Sequence, residues 1–310
     1  MSNLTTLLYC PEMETMARQI ASQYPDSVRL GEVVWGTFAD GFPNNFVKNA
    51  HMLDEVDVAF LASFDSPASI FNQLSVLYAL PSYNNRSLQV FLPFFPVGTM
   101  DRADELGGIV TAKTLARMLS AIPSCLERKT EIIIFDLHSA HVRHFFGDGV
   151  AVNLRSCARF FPVSPSEEVV IVFPDKGAFK RYGSKFPGFS KVICDKDRVE
   201  AQRLLAITSG CDGLGLDRLS ACIVDDLIQS GETILACQRV LKTAGIKHVS
   251  VFAPHGVMPN EAWRKLTPEE FDHVWITDSC PATARAVEDI EPFEVLPLSS
   301  LIFHMMEKKS

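Results

Sequence analysis

The chain of 310 residues is short of several familiar signals. Its eight cysteines include no C-x-x-C pair, which removes the usual dithiol and zinc-ribbon patterns. No G-x-x-x-x-G-K-[ST], G-x-G-x-x-G or G-x-S-x-G run occurs, so P-loop, dinucleotide and nucleophile-elbow readings have no foothold. Positive charge is not in excess: 29 Lys and Arg face 37 Asp and Glu, for a formal net charge of −8. A chain without a broad basic field is a poor match for nonspecific binding to nucleic acid or to an acidic membrane, and neither partner is expected. Long apolar runs are also missing. The most apolar stretch, residues 88–97, is well short of the ~20 residues that cross a bilayer, and it contains Pro93 and Pro96. No cationic segment followed by an apolar core opens the sequence. With the scattered cysteines, this makes the reducing cytoplasm the expected location.

What is present is ordinary globular material, 47% hydrophobic and 21% charged, long enough for two domains of typical size. Short runs rich in Val, Ile and Phe alternate with longer segments of helical spacing, the pattern of a parallel sheet covered on both faces, and the fold class is α/β. Strands are expected at 4–9, 56–62, 88–95, 131–136, 169–173, 191–194, 219–224, 248–252 and 273–276. Amphipathic helices are expected at 67–80, 108–122, 230–243 and 280–288. A polar, glycine-containing stretch at 147–153 is the best boundary between a first domain, 1–150, and a second, 151–295. Residues 296–310 are expected to form a C-terminal helix that packs back on the first domain.

The most informative run begins at Cys222. Cys222, Ile223 and Val224 form an apolar strand that ends in Asp225 and Asp226, and Leu227 through Thr233 then leads into helical spacing. A helix start presents free backbone N–H groups and the positive end of the dipole to a phosphate, and Ser230 and Thr233 add hydroxyls. Two adjacent aspartates at a strand end are costly to bury alone, so they should meet sugar hydroxyls or a metal. The plain alternative is a solvent-facing turn with Ser230 as a helix cap. Asp175 follows another apolar run and is trailed by Lys176, Lys180 and Arg181. That combination suits magnesium and a polyphosphate, or else a capping aspartate among solvated cations. His138, His141 and His144 recur every third residue but have neither the H-E-x-x-H spacing nor a cysteine pair for zinc.

These residues reach a family. CIVDDLIQSGETI, from Cys222, resembles the ribose 5-phosphate loop of the type I phosphoribosyltransferase fold. FDLHSAHVRHFFGD from Phe135, VFPDKGAFKR from Val172 and DKDR from Asp195 resemble, in order, segments of the ribose-phosphate diphosphokinase (phosphoribosyl pyrophosphate synthetase) family. FFPVGTMDR at Phe94, WITDSCP at Trp275 and FEVLPL at Phe293 are most similar to its plant-type class II subgroup. The resemblance implies two tandem phosphoribosyltransferase-like domains and a Mg²⁺-dependent transfer of the diphosphoryl group of ATP to ribose 5-phosphate. It implies Lys196 and Arg198 as catalytic residues on a charged loop. Asp225, Asp226, Gln229, Ser230, Gly231, Glu232 and Thr233 would bind ribose 5-phosphate. Phe38, Asp40, Arg102 and His138 would contact ATP, with His138 and Asp175 at the metal. In relatives the Phe38 segment reaches a neighbouring subunit's active site, so a homo-oligomer with active sites near its interfaces is expected; a core role for Phe38 is the alternative.

Two departures stand out: Thr99-Met100 replaces an Arg-Gln pair, and Glu232 falls where relatives carry glycine, with its side chain expected to face solvent. They motivate one rival, an inactive synthetase-like regulatory subunit. A phosphoribosyltransferase that consumes the diphosphate is the other.

Overall fold

The computed structural model describes residues 4–165, 168–199, 202–210, 215 and 218–307. The chain divides into two compact units, Met1–Arg155 with Leu298–Ser310, and Ser156–Pro297.

The first unit runs β1 (Thr5–Tyr9), α1 (Glu14–Gln23), β2 (Val28–Leu30), a short antiparallel pair β3 (Val33–Val34) and β4 (Phe46–Val47), then β5 (Asp57–Leu61), α2 (Pro67–Ala79), β6 (Ser87–Leu92), α3 (Thr111–Ser120), β7 (Thr130–Phe135) and β8 (Val150–Arg155). Six of these strands form one parallel sheet in the order β2-β1-β5-β6-β7-β8. Its central strands read as unbroken apolar runs because both faces are covered: Val58, Phe60, Val90, Phe91, Ile132 and Ile134 are all essentially inaccessible. α2 starts where Ser66 accepts a hydrogen bond from the Ser69 N–H and Pro67 supplies a first-turn residue that has no N–H to lose.

The second unit runs β9 (Val169–Phe173), α4 (Lys176–Tyr182), β10 (Ser190–Val199), β11 (Gln202–Ser209), β12 (Ser220–Val224), β13 (Leu227–Ile228), α5 (Glu232–Thr243), β14 (His248–Phe252), β15 (His255–Gly256), β16 (Val274–Thr277), α6 (Pro281–Val287) and β17 (Phe293–Leu296). Its seven-stranded sheet has the order β11-β10-β9-β12-β14-β16-β17, parallel except for the β10/β11 hairpin. One face is closed by an aliphatic cluster in which Ile234, Cys237 and Leu241 of α5 meet Ile223 and Val251. The other is aromatic, with Phe161 making edge-to-face contacts with Phe186, Phe189, Phe252 and Trp275. A last helix, α7 (Ser299–Glu307), returns to the first unit and packs on α1, with Phe303 stacked on Tyr24 at 3.4 Å between ring centroids.

All nine expected strands and four expected helices are present, with ends shifted by a few residues. Several elements depart from the expectation. The stretch 147–153 runs straight into β8, so the first unit extends to Arg155. Helices α1 and α4 are additional to the expected set. The charged segment after Cys194 is a β-hairpin, with Lys196 opposite Leu205 and Arg198 opposite Arg203.

Candidate active site

In the second sheet β9 lies between β10 and β12, so the chain leaves β9 to one side and returns on the other. The carboxyl ends of β9 and β12 then form the crevice where open α/β sheets gather ligands. Asp175 follows β9, and Asp225 with Asp226 follows β12.

The acid pair is buried. Asp226 is 1% exposed, and the Asp225 side chain beside it 14%. Arg181 on α4, itself largely buried, directs Nη2 to Oδ1 of Asp225 at 2.9 Å and to Oδ1 of Asp226 at 2.8 Å. Asp225 Oδ1 also accepts the Asp226 N–H at 2.9 Å. Burial and then the neighbouring charge of Asp226 push the Asp225 carboxyl up to about 7, against the pull of Arg181. Arg181 thus spans the acids, where the sequence suggested a partner for polyphosphate; the separation of 44 positions between Arg181 and Asp225 hides that contact from any local pattern.

The loop beyond the acids is pinned by backbone. Leu227–Ile228 pairs in parallel with His255–Gly256. The His255 N–H donates to the Asp226 carbonyl at 3.0 Å, and the Val257 and Met258 N–H groups donate to the Ile228 carbonyl. His255, which local sequence did not mark, is 2% exposed and shares a 2.9 Å hydrogen bond between Nδ1 and Ser279. Gln229 and Ser230 are exposed, and Gly231 then turns into α5 with φ +76°, a left-handed conformation natural to glycine. Glu232 and Thr233 are the first two residues of α5, a twelve-residue helix whose opening N–H groups include the donors an anion would meet. The Glu232 side chain is 62% exposed and meets Lys265 Nζ at 2.6 Å, and that hydrogen bond and charge lower its pKa.

Asp175 caps α4, its Oδ1 accepting the Ala178 N–H at 2.7 Å. It is nonetheless exposed at the strand end. A solvated carboxylate there fits magnesium, which takes one or two carboxylates and fills its octahedron with phosphate oxygens and water. Lys176 Nζ meets Asp195 at 2.8 Å, tying the start of α4 to the root of the hairpin. The side chains of Lys196 and Arg198 lie outside the described residues. Their backbone occupies β10.

In the first unit His138 follows the end of β7, half-buried, two residues after Asp136. Asp136 holds φ +36°, an unusual conformation for a buried non-glycine residue. His141 shares hydrogen bonds with Ser139 Oγ and the Asp101 carbonyl. Phe38 is 54% exposed rather than core, in a turn where the Phe38 and Gly41 N–H groups donate to the Phe42 and Phe38 carbonyls. Asp40 accepts the Phe42 N–H, and Arg102, on the loop after β6, pairs with Asp104 while almost fully exposed.

The architecture is that of a two-domain phosphoribosyltransferase-like α/β protein. It superposes on the crystal structure of phosphoribosylpyrophosphate synthetase from Mycobacterium smegmatis with a TM-score of 0.82 over 98% of each chain, at 20% sequence identity. Residues 215–305 match the family model of the phosphoribosyl synthetase-associated domain. The chain belongs to the ribose-phosphate pyrophosphokinase family. It is 42% identical over 308 residues to the chloroplastic ribose-phosphate pyrophosphokinase 3 of Oryza sativa subsp. japonica, spanning 96% of this chain and 74% of that protein. It is 41% identical over 313 residues to the mitochondrial ribose-phosphate pyrophosphokinase 3 of Spinacia oleracea, spanning 97% and 76%. Among the described residues, no helix is long and apolar enough to cross a membrane.

Proposed function

We propose that the chain transfers the β,γ-diphosphoryl group of ATP to the anomeric hydroxyl of ribose 5-phosphate, releasing AMP and phosphoribosyl diphosphate for nucleotide biosynthesis. The observation that carries this reading is the buried acid pair followed by a pinned loop and a helix start at the sheet's carboxyl edge, in a chain of this family. Asp225 and Asp226 accept hydrogen bonds from the ribose 2- and 3-hydroxyls, and Arg181, paired with both, holds them in place. The loop from Gln229 to Thr233 receives the 5-phosphate on its N–H groups and hydroxyls. When bound, magnesium supplies charge neutralisation on the phosphate oxygens. Asp175 and His138 are its assigned protein partners. Phe38, Asp40, Arg102 and His138 take the nucleotide. The attack is on the β-phosphorus by the sugar's own hydroxyl, so no side chain need act as covalent nucleophile. Lys196 and Arg198 stabilise charge as it shifts toward the AMP leaving group.

A homo-oligomer with active sites near its interfaces accords with the exposed apolar set Val34, Phe38, Phe42, Phe46 and Phe71, within which Phe42 and Phe71 make an edge-to-face contact. Free cysteines accord with a reducing compartment, and we place the chain in the cytoplasm. The chloroplastic and mitochondrial names of the relatives make organelle import the competing outcome when a tagged chain is imaged. The test of the reaction is direct. Purified protein with ATP, Mg²⁺ and ribose 5-phosphate should release AMP in step with phosphoribosyl diphosphate, whereas release of ADP would contradict the assignment. A silent regulatory role has little to recommend it with Glu232 turned to Lys265.

A further inference from the structure

A carboxylate in the first turn of α5 is favourable to the helix dipole but adverse to a phosphate dianion held on the preceding loop. Glu232 is that carboxylate, and its partner comes from outside the loop. Lys265 closes the short helical turn Pro259–Lys265, and its Nζ lies 2.6 Å from Glu232 Oε1 and 3.3 Å from the Ser230 carbonyl. Its position is set by packing. The next residue, Leu266, is buried and sits beneath Gly231, where a Cβ would stand 3.6 Å from Leu266 Cδ2. The neighbouring Arg264 is engaged elsewhere, stacked on Trp263 at 4.5 Å and paired with Glu261. Arg239, farther along α5, adds a weaker positive influence on Glu232.

We propose that Lys265 is a positioning residue of the ribose 5-phosphate subsite: its ammonium bridges the Glu232 carboxylate and the Ser230 carbonyl, holds the carboxylate in place and cancels its charge, so that without Lys265 the carboxylate opposes substrate. The inference rests on the reading of the loop given above and assigns that subsite a residue outside it. Both side chains are about half exposed, so the effect should be modest and weakened by salt.

The test is a double-mutant cycle on the full chain with K265M, E232G and the double variant, with matching circular dichroism as the check on folding. At low salt, K265M should raise the KM for ribose 5-phosphate about three- to fivefold, with a smaller change in the KM for ATP. The increase should shrink as salt is added. In the double variant the KM should lie closer to wild type than to K265M. A KM in K265M that rises less than about 1.5-fold, well inside the range for inert surface pairs, overturns the proposal. So does a double variant closer to K265M than to wild type, because Lys265 would then act independently of Glu232. Calorimetric titration of ribose 5-phosphate into the same four proteins gives the comparison without turnover, so a wild-type chain that releases no AMP removes the reaction while leaving this inference open to its own refutation.

Discussion

Asp225 and Asp226 show what a binding site costs a fold. A carboxyl pushed up to about 7 by burial and by its neighbour's charge has a folded-state pKa above the ordinary 3.8. Between those values the folded protein holds a proton that the unfolded chain has lost, so stability from this group falls as pH rises through the window. Asp225→Asn removes the ionisable partner and leaves Arg181 paired with Asp226. Its melting temperature relative to wild type should therefore be higher at pH 8 than at pH 5, while ribose 5-phosphate binding weakens. A difference that does not change with pH would show that the acid pair is not strained by burial. The adjacency of the two acids made this site legible in the sequence. Arg181 and Lys265 were not legible in their roles, because each completes the site from a distant segment and pairs with a residue that no spacing rule relates to it.

At the scale of elements, β10 is more than the edge of a sheet. Only Ser190–Ile193 pairs with β9; from Cys194 onward its pairing is with β11 alone. The strand therefore continues past the carboxyl end of β9, the edge from which Asp175 departs, as a two-stranded ribbon rising about 3.3 Å per residue. This places the backbone of Lys196 and Arg198 beyond the crevice rather than beneath it. Lys196→Ala should lower turnover about 10²- to 10³-fold, the scale of one well-placed donor to a transition state, with ribose 5-phosphate affinity nearly intact. Stopped-flow turnover beside equilibrium titration separates the two, and an unchanged rate would remove Lys196 from the chemistry. The buried strands were readable because parallel strands covered on both faces are continuous runs of apolar residues. The hairpin was not, since its charges resemble an ordinary solvated stretch and its pairing is one-sided. β8 escaped for a similar reason: as an edge strand it alternates with polar positions and carries only Val150 fully into the core.

For the whole molecule, the first unit is assembled from two separated pieces of chain. α7 contributes Leu301, Ile302, Phe303, Met305 and Met306 to its interior, and Ser299 Oγ lies 3.5 Å from the Gln23 side chain. Phe303→Ala removes the ring stacked on Tyr24 and should cost about 3 to 5 kcal/mol, as for other buried aromatic truncations. Hydrogen exchange read by mass spectrometry should quicken across α1 and β1 and leave β12 and β14 unchanged. Equal acceleration in both units would mean that they unfold together.

The return of α7 also sets a schedule for biogenesis. The ribosome releases the sheet of the first unit early, yet the helix that covers α1 emerges only after the whole second unit has been made. Throughout that interval Tyr24 stands without the ring that stacks on it, the kind of exposed apolar surface that holding chaperones recognise. Of the two units, the one begun first is completed last.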